Sequence, residues 1–468
     1  MQFLELLSAS DLEAIHQATM EIFQEIGIRF PHPETLGIFK KHGYRVEGEL
    51  VYFEEKQIME LIKDIPSKFT IRARNPEHNV TIGDGSPVFV PGYGAPFLID
   101  PEVGKRTPTF QDYEDLVRLA HVLPNQDMSG HLMVEPQDIP AETSHLRMVE
   151  AHIRLSDKAF LGSTEGKDGA QHTMDLIKIL FGNTDSDHFT TGLINTLSPL
   201  SYSTDMVDAL LIYSRANQPV VIASLIMAGS TGPITLAGML AQQNAELLSG
   251  IVLTQLVNPG IPVIYGSTST NIDMKTGALA IGSPELSLCI AAHGQLARKY
   301  GLASRAGGAL TDTSTLDAQA GYESMLSLYT TINSGIDFVL HASGIISSYL
   351  AFSYEKFVMD DELCGMLKHF WAGFNVNPET LAFDVIKNVG HEGHFLGEPE
   401  TLKRCRSEFW MPDLADRTGL EAWWGGEQED TTERCVQRWK KLLEDYQEPE
   451  LDQSIKKQLQ DYLKKEIQ

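Results

Sequence analysis

Apolar positions along the chain change their spacing twice. Leu12, Ile15, Ile22, Phe23 and Ile26 recur at helical intervals; Ser10 with Glu13 makes a capping box, and Gly27 can close the turn, so the pattern predicts a helix over 11–26. Pro33 and Gly43 bracket a second helix, and "QIMELIKDIP" predicts a third. From Thr81 to Asp100 the texture changes to short apolar runs punctuated by Gly and Pro, the pattern of small antiparallel strands. Helical spacing returns over 110–122. Seven short apolar runs then follow, "MSGHLMV", "AFLGST", "FTTGLIN", "PVVIASLI", "PVIYGST", "LASRAGG" and "IDFVLHA", about 30 to 45 residues apart with helical stretches between them.

Strands that lack polar alternation are buried on both faces, as parallel strands are. Seven βα units in one series predict an α/β fold, a (β/α)8 TIM barrel with helical N-terminal and C-terminal extensions. The eighth strand is expected near 345–351 or in "ETLAFDVI". The expected organisation is a helical extension over 1–80, the hairpin region and barrel over 81–397, and a helical cap over 398–468.

Composition narrows the partners. The 468 residues hold 37 Lys and Arg against 63 Asp and Glu, a formal net charge of −26, which repels nucleic acid and anionic membranes. Cys289, Cys364, Cys405 and Cys435 lie far apart with no C-x-x-C pair, so neither a disulfide framework nor a zinc ribbon is expected. "MQFLELLSASDLEAIHQ" lacks the basic and apolar regions of a signal peptide, and no apolar run is long enough to span a bilayer. A cytoplasmic protein is expected. The oligomeric state is left open, a homo-oligomer included.

The loops after the predicted strands are chemically quiet. "MAGSTG" (227–232) has no Lys for a phosphate and is not the G-x-S-x-G of a hydrolase; a tight turn of small residues is the simpler account. "YGSTSTNIDMKTGALAIGSPE" and "GGALTDTSTLDAQAGYES" bring no nucleophile and base at recognisable spacing. "GYGAPF" lacks the rest of a dinucleotide fingerprint. His391 and His394 in "HEGHF" have no third ligand in view, so no metal is expected.

"MAGSTGPITLAG", "YGSTSTNIDMKTGALAIGSPE", "DAQAGYES", "FVMDDELC", "NTLSPL" and "GHFLGEPETL" together resemble the trimethylamine methyltransferase superfamily, in the same order over nearly the whole chain. The resemblance implies a barrel that moves a methyl group from an amine to the cobalt of a separate, cognate corrinoid protein, so that the corrinoid (cobalamin) is carried by the partner and no cofactor is bound permanently. Founding members use pyrrolysine, which this chain lacks. Relatives without it look like demethylases of quaternary amines; glycine betaine is the first candidate substrate, with proline betaine, carnitine and γ-butyrobetaine as neighbours. Readings from other classes are a non-catalytic betaine-binding protein and a barrel hydrolase or lyase.

A trimethylammonium group offers no hydrogen-bond donor and is held by aromatic faces. Tyr93 and Phe97 in the hairpin region, Tyr349, Phe352 and Tyr354 after the last clear strand, and Phe370, Trp371 and Phe374 beyond them are candidates, with Tyr93, Phe97, Tyr354 and Phe374 the chosen cage residues. For a substrate carboxylate, His341 ends the strand "DFVLH" on the side from which barrel residues reach ligands. Glu165 and Asn195 end two other strands and are candidates for the same mouth; the resemblance makes Asp312 a candidate for the cavity where the pyrrolysine enzymes differ, and a hydrogen-bonded core histidine is the alternative for His341. Core packing is the alternative role for each aromatic, and helix capping for Asn195.

Overall fold

The computed structural model describes residues 3–182 and 186–467. Eight parallel strands, counted among the described residues, form the barrel: β1 (Val88–Val90), β2 (Met128–Ser129), β3 (Ala159–Leu161), β4 (Thr190–Asn195), β5 (Val220–Ser224), β6 (Val263–Ser267), β7 (Ala303–Ala306) and β8 (Phe338–Leu340). Each strand is followed by a barrel helix: α1 (Phe110–Val122), α2 (Ala141–Leu155), α3 (Gly166–Phe181), α4 (Thr204–Arg215), α5 (Leu236–Val257), α6 (Pro284–Tyr300), α7 (Ala318–Asn333) and α8 (Tyr354–Ala372). The seven apolar runs read from the sequence are β2 to β8.

The eighth strand differs from both expected positions. It is β1, first in the chain, inside the Gly- and Pro-punctuated stretch, and it pairs in parallel with β8 through Val88 with Phe338 and Val90 with Leu340. Residues Ile345–Ile346 instead pair antiparallel with Ala351–Phe352 in a small rim sheet with Phe97–Asp100, while "ETLAFDVI" runs into the exposed helix Phe383–Val389. Three residues cannot show periodicity; β1 is a strand because partners 250 positions away supply its ladder. The seam between β1 and β2 is closed by Asp127: its N–H donates to the Phe89 carbonyl (2.8 Å) and its carboxylate accepts the Phe89 N–H (2.8 Å).

Side chains alternate inward from the strands, and Val88, Val90, Leu161, Val221, Ile264 and Leu340 belong to one buried cluster. The hairpin Phe69–Ile71 and Val80–Ile82 joins the same cluster. Its following backbone docks on residues just before β4 and β3, Arg72 N–H to His188 O (2.7 Å) and Asn75 N–H to Asp157 O (3.1 Å), so it plugs the amino-terminal end of the barrel.

The amino-terminal segment carries helices Ala9–Glu21, Pro33–Lys41 and Glu55–Ile62, and a three-stranded sheet of Ile28–Arg29, Leu50–Tyr52 and Arg45–Glu47. Its capping box forms two residues earlier than the sequence suggests, with Ser8 as cap and Asp11 as partner, and the helix passes into a π turn (Ile22–Ile26) before Gly27 at φ 76°. At the other end, Thr431–Glu444 packs along α8, with Trp439 donating to Glu355 (2.8 Å), and Gln453–Ile467 rests on α3 through Tyr462 and Asp175 (2.9 Å). Among the described residues no helix is long and apolar enough to cross a membrane.

α5 is buried on almost every face, and its polar residues are bound. The fully buried Glu246 carboxylate accepts Thr196 Oγ1 (2.6 Å), Ser198 Oγ (2.7 Å), the Leu200 N–H (2.9 Å) and Gln242 Nε2 (3.0 Å), so one side chain holds the whole loop that follows β4. Removing it leaves the three half-buried donors of that loop without this acceptor, while Gln242 Nε2 keeps the Thr231 carbonyl. Glu246→Ala is expected to cost about 3–5 kcal/mol of unfolding free energy; denaturant titration showing less than about 1 kcal/mol would contradict this.

Candidate functional site

Buried polar atoms normally find partners, and those that do not are informative. Four residues with such an orphan atom, among the described residues, sit at or beyond the carboxyl ends of barrel strands: His131 after β2, Ser224 ending β5, Arg305 in β7 and Tyr349 after β8. Barrel enzymes assemble their sites on this face.

Arg305 is the most demanding of them. It shares the inward side of β7 with Ala303, is 2% exposed, and among the described residues its Nε has no hydrogen-bond partner and no carboxylate pairs with the guanidinium. Burial lowers its pKa to about 10, so it remains a cation at neutral pH. A desolvated charge without a counter-ion costs several kcal/mol, which an anionic ligand would offset.

Above Arg305 stand His341 and two phenols. His341 directly follows β8, adopts φ 65°, and is held by the Tyr93 N–H, which donates to Nδ1 (3.1 Å). Burial, reinforced by the nearby Arg305, pushes its pKa well down, so the ring is neutral. With Nδ1 accepting, the proton lies on Nε2 and is available as a donor. The Tyr349 ring packs on His341 with centroids 4.8 Å apart. Tyr349 ends a run of three left-handed residues, Ser347, Ser348 and Tyr349 (φ 56°, 53° and 72°), a conformation that non-glycine residues adopt only when the surroundings impose it. Tyr93 reaches toward Thr164 and Glu165, and burial keeps both phenols protonated.

The structure brings together part of the predicted set. Tyr93, His341 and Glu165 converge on the mouth; Glu165, just after β3, has its carboxyl pKa raised by burial and by Glu135. Asn195 is exposed at the end of β4, and it does not cap α4, whose N-cap is Ser203. Asp312 points away from the chamber: it accepts the Ile281 N–H (2.8 Å), the Gly282 N–H (2.9 Å) and Ser348 Oγ (2.7 Å), and so fastens the left-handed run carrying Tyr349. Three chosen aromatics lie elsewhere. Phe97 lines a separate cleft of about 680 Å³ outside that strap, its face already covered by Lys105 Nζ at 3.6 Å. Tyr354 is buried between α8 and α1, hydrogen-bonded to Asp112 (3.1 Å) and stacked on Trp439. Phe374 is 83% exposed beyond the end of α8.

The sequence reading passed over Arg305, counting "LASRAGG" only as a strand. The available signal was an arginine in a run with no polar alternation. His391 and His394 lie in an exposed segment, and among the described residues no cluster of His, Cys, Asp and Glu could hold a metal ion. "MAGSTG" holds only backbone: Gly229 takes φ 93°, Gln242 Nε2 binds the Thr231 carbonyl (3.0 Å), and Met227–Ala228 pairs with Thr270–Asn271.

Fold and site together are those of a barrel enzyme with a buried cation that has no ion-pair partner among the described residues, and with aromatic side chains near the carboxyl ends of its strands. The chain belongs to the trimethylamine methyltransferase (MTTB) family, whose model matches residues 1–468. It is 47% identical to the glycine betaine methyltransferase of Desulfitobacterium hafniense (strain Y51) over 461 residues, covering 98% of this chain and 96% of that protein. It is 34% identical over 478 residues to the proline betaine:corrinoid methyltransferase of Eubacterium limosum, covering 98% and 96%. The monomethylamine methyltransferase structure of Methanosarcina barkeri superimposes with a TM-score of 0.52 over 95% of this chain and 88% of that one; at 14% identity this shows a shared fold.

If Arg305 serves a ligand and not the fold, Arg305→Met should leave the ligand-free protein equally stable or raise its unfolding free energy by about 1–4 kcal/mol. A clear drop in melting temperature would make Arg305 a structural residue.

Proposed function

We propose that the protein transfers a methyl group from glycine betaine to a corrinoid protein, leaving dimethylglycine. The observation that carries this reading is the unpaired, buried Arg305 with neutral His341 and the phenol of Tyr349 close to it, and Tyr93 tied to His341 through its N–H: one pole for a carboxylate and another for a trimethylammonium group. On this reading the guanidinium binds the carboxylate, with His341 Nε2–H as second donor. Tyr93 and Tyr349 face the ammonium, each phenol contributing about 0.5–2 kcal/mol, and Glu165 lies at that end. Since Arg305 lies within a strand and Tyr93 and Glu165 lie past the strand ends, the N-methyl groups are turned outward.

The nucleophile is supplied by the partner, whose reduced corrinoid cobalt brings the electron pair for the new bond. The pair of the broken C–N bond stays on nitrogen, which leaves as a neutral tertiary amine. No proton moves, which suits a chamber where His341 is neutral and hydrogen-bonded. The chain's own work is to orient the donor and to exclude water. The glycine betaine and proline betaine methyltransferases among its relatives support a quaternary amine as donor.

Mixing the protein, glycine betaine and a reduced corrinoid protein should produce the absorbance change of corrinoid methylation, and Arg305→Met should weaken betaine binding by about 100-fold or more. Failure with every betaine tested would refute the reading. Calorimetric affinity for glycine betaine should be flat from pH 6 to 8: His341 has a depressed pKa and stays neutral, while Arg305, at about 10, stays charged. A transition centred near the ordinary histidine value would contradict that assignment.

A further inference from the structure

His131 stands two residues past β2 and is completely buried, yet among the described residues neither of its ring nitrogens has a hydrogen-bond partner. A buried polar group left unsatisfied costs about 1–3 kcal/mol. Burial, with His152 and His145 of α2 nearby, pushes the His131 pKa well down, so the ring is neutral and keeps one donor and one acceptor nitrogen.

The backbone of the same residue is held closely. Tyr113 on α1 donates to the His131 carbonyl; the Tyr113 hydroxyl accepts His152 Nε2–H (2.6 Å), and His152 Nδ1 accepts the Ser129 hydroxyl (2.7 Å) at the end of β2. Burial pulls the His152 pKa down to about 4, which fits a neutral ring in this tautomer. Every proton of the network is assigned, and none is left for the His131 ring, whose centroid lies 6.4 Å from that of His152. Three buried side chains from three elements fix where residue 131 sits, and its own nitrogens stay open.

Sheet order says what lies beside it. β7, β8, β1, β2 and β3 are consecutive neighbours around the barrel, with the β1–β2 seam closed by Asp127. Arg305, His341, Tyr93, His131 and Glu165 follow in that order, one from each strand or the loop after it. The segment carrying His131 runs beside the Tyr93 turn: the Gly94 N–H donates to Leu132 O (2.5 Å), Ala95 bridges to Val134, and a side chain at Gly130 would lie 3.6 Å from the Gly92 carbonyl. Tyr113, which holds the His131 carbonyl, is within electrostatic reach of Tyr93 and Glu165. His131 therefore stands between the residues of the ammonium end, and Arg305 begins the arc at the other.

On the reading that the donor is glycine betaine, we propose that His131 recognises the demethylated product: a ring nitrogen of His131 accepts the N–H of the tertiary ammonium, a bond the quaternary donor cannot make. The nitrogen of a betaine carries neither a hydrogen nor a lone pair. Dimethylglycine is protonated in neutral water and carries one N–H where the donor had a methyl group; in turnover that proton comes from water after the methyl group has left. One acceptor thus tells the two apart, while Arg305 and the aromatic faces hold them alike. Favouring the bound product over the bound donor draws the transfer forward.

Calorimetric titration of the full-length chain with dimethylglycine and with glycine betaine tests this. His131→Phe keeps a ring and loses both nitrogens: dimethylglycine should bind about 10-fold or more weakly, and betaine within about 3-fold of the wild type. His131→Gln restores an acceptor and should regain most of the dimethylglycine affinity, which a packing role would not produce. In the wild type, the ring-nitrogen resonances that either variant lacks should move with dimethylglycine and stay in place with betaine. Resonances that respond alike to both compounds, or a His131→Phe variant that weakens both or neither, overturn the proposal and leave the betaine reading standing. A wild type that binds neither compound overturns both.

Discussion

A buried guanidinium is the constraint around which the mouth of this protein is arranged. β7 is buried on all four residues, and no carboxylate of the chain meets Arg305 among the described residues. Its neighbours are accordingly neutral. His341 is held without a second proton by burial and by the adjacent cation, and the phenols of Tyr93 and Tyr349 are pushed up by desolvation. A native carboxylate beside Arg305 would have made a stable ion pair and closed the site to an anion. Leaving the charge without a counter-ion costs stability.

That cost is borne by a stiff frame. The left-handed run Ser347–Tyr349 is tied on several sides: the Ser347 and Ser348 N–H groups donate to Thr313 O (2.9 Å) and Thr311 O (3.2 Å), and Ser348 Oγ donates to Asp312. From below, Glu323 on α7 accepts Thr311 Oγ1 (2.7 Å) and the Asp312 N–H (2.9 Å). A further lock lies behind them, where Lys356 and Asp360 pair in the interior of α8 and Asp360 accepts the Gly344 N–H (2.9 Å). Asp312 therefore acts through Tyr349, as a positioning residue between three loops.

Most of the fold was legible because seven strands lie in unalternating apolar runs that recur with helical stretches between them, although β2, β3 and β8 are themselves only two or three residues long. β1 was not, since "VFV" between Pro87 and Pro91 carries no period of its own and gains its identity from β8 and Asp127. The site was legible where chain position alone decided it: His341 follows its strand directly, Glu165 lies in the short loop between β3 and α3, and Tyr93 sits on a Gly-flanked turn. It was not legible where orientation decided it. Phe97 lies four residues beyond Tyr93 yet faces another cleft, Tyr354 turns its hydroxyl to Asp112, and Phe374 falls past the barrel. An aromatic residue in a sequence does not say which side it faces, whereas an arginine within a doubly buried strand leaves few alternatives to facing the interior.

The division between strand and loop also bears on which parts of the mouth can be adjusted. Arg305 is fixed in the barrel wall, while Tyr93 and Tyr349 sit on loops whose positions depend on braces such as Asp312 and Ser348. Carboxylate-bearing donors that differ in spacer length would share the floor and differ in where the nitrogen sits, so the loops have to set the spacing. One methylene is worth only about 1–3 kcal/mol in a fitted pocket; a sub-ångström change in the strap could redirect preference without touching the anion site. The strain in Ser347–Tyr349 then has a use: a segment held by several weak ties against its own preference can be reset by changing one of them, while a relaxed turn would return to its own minimum.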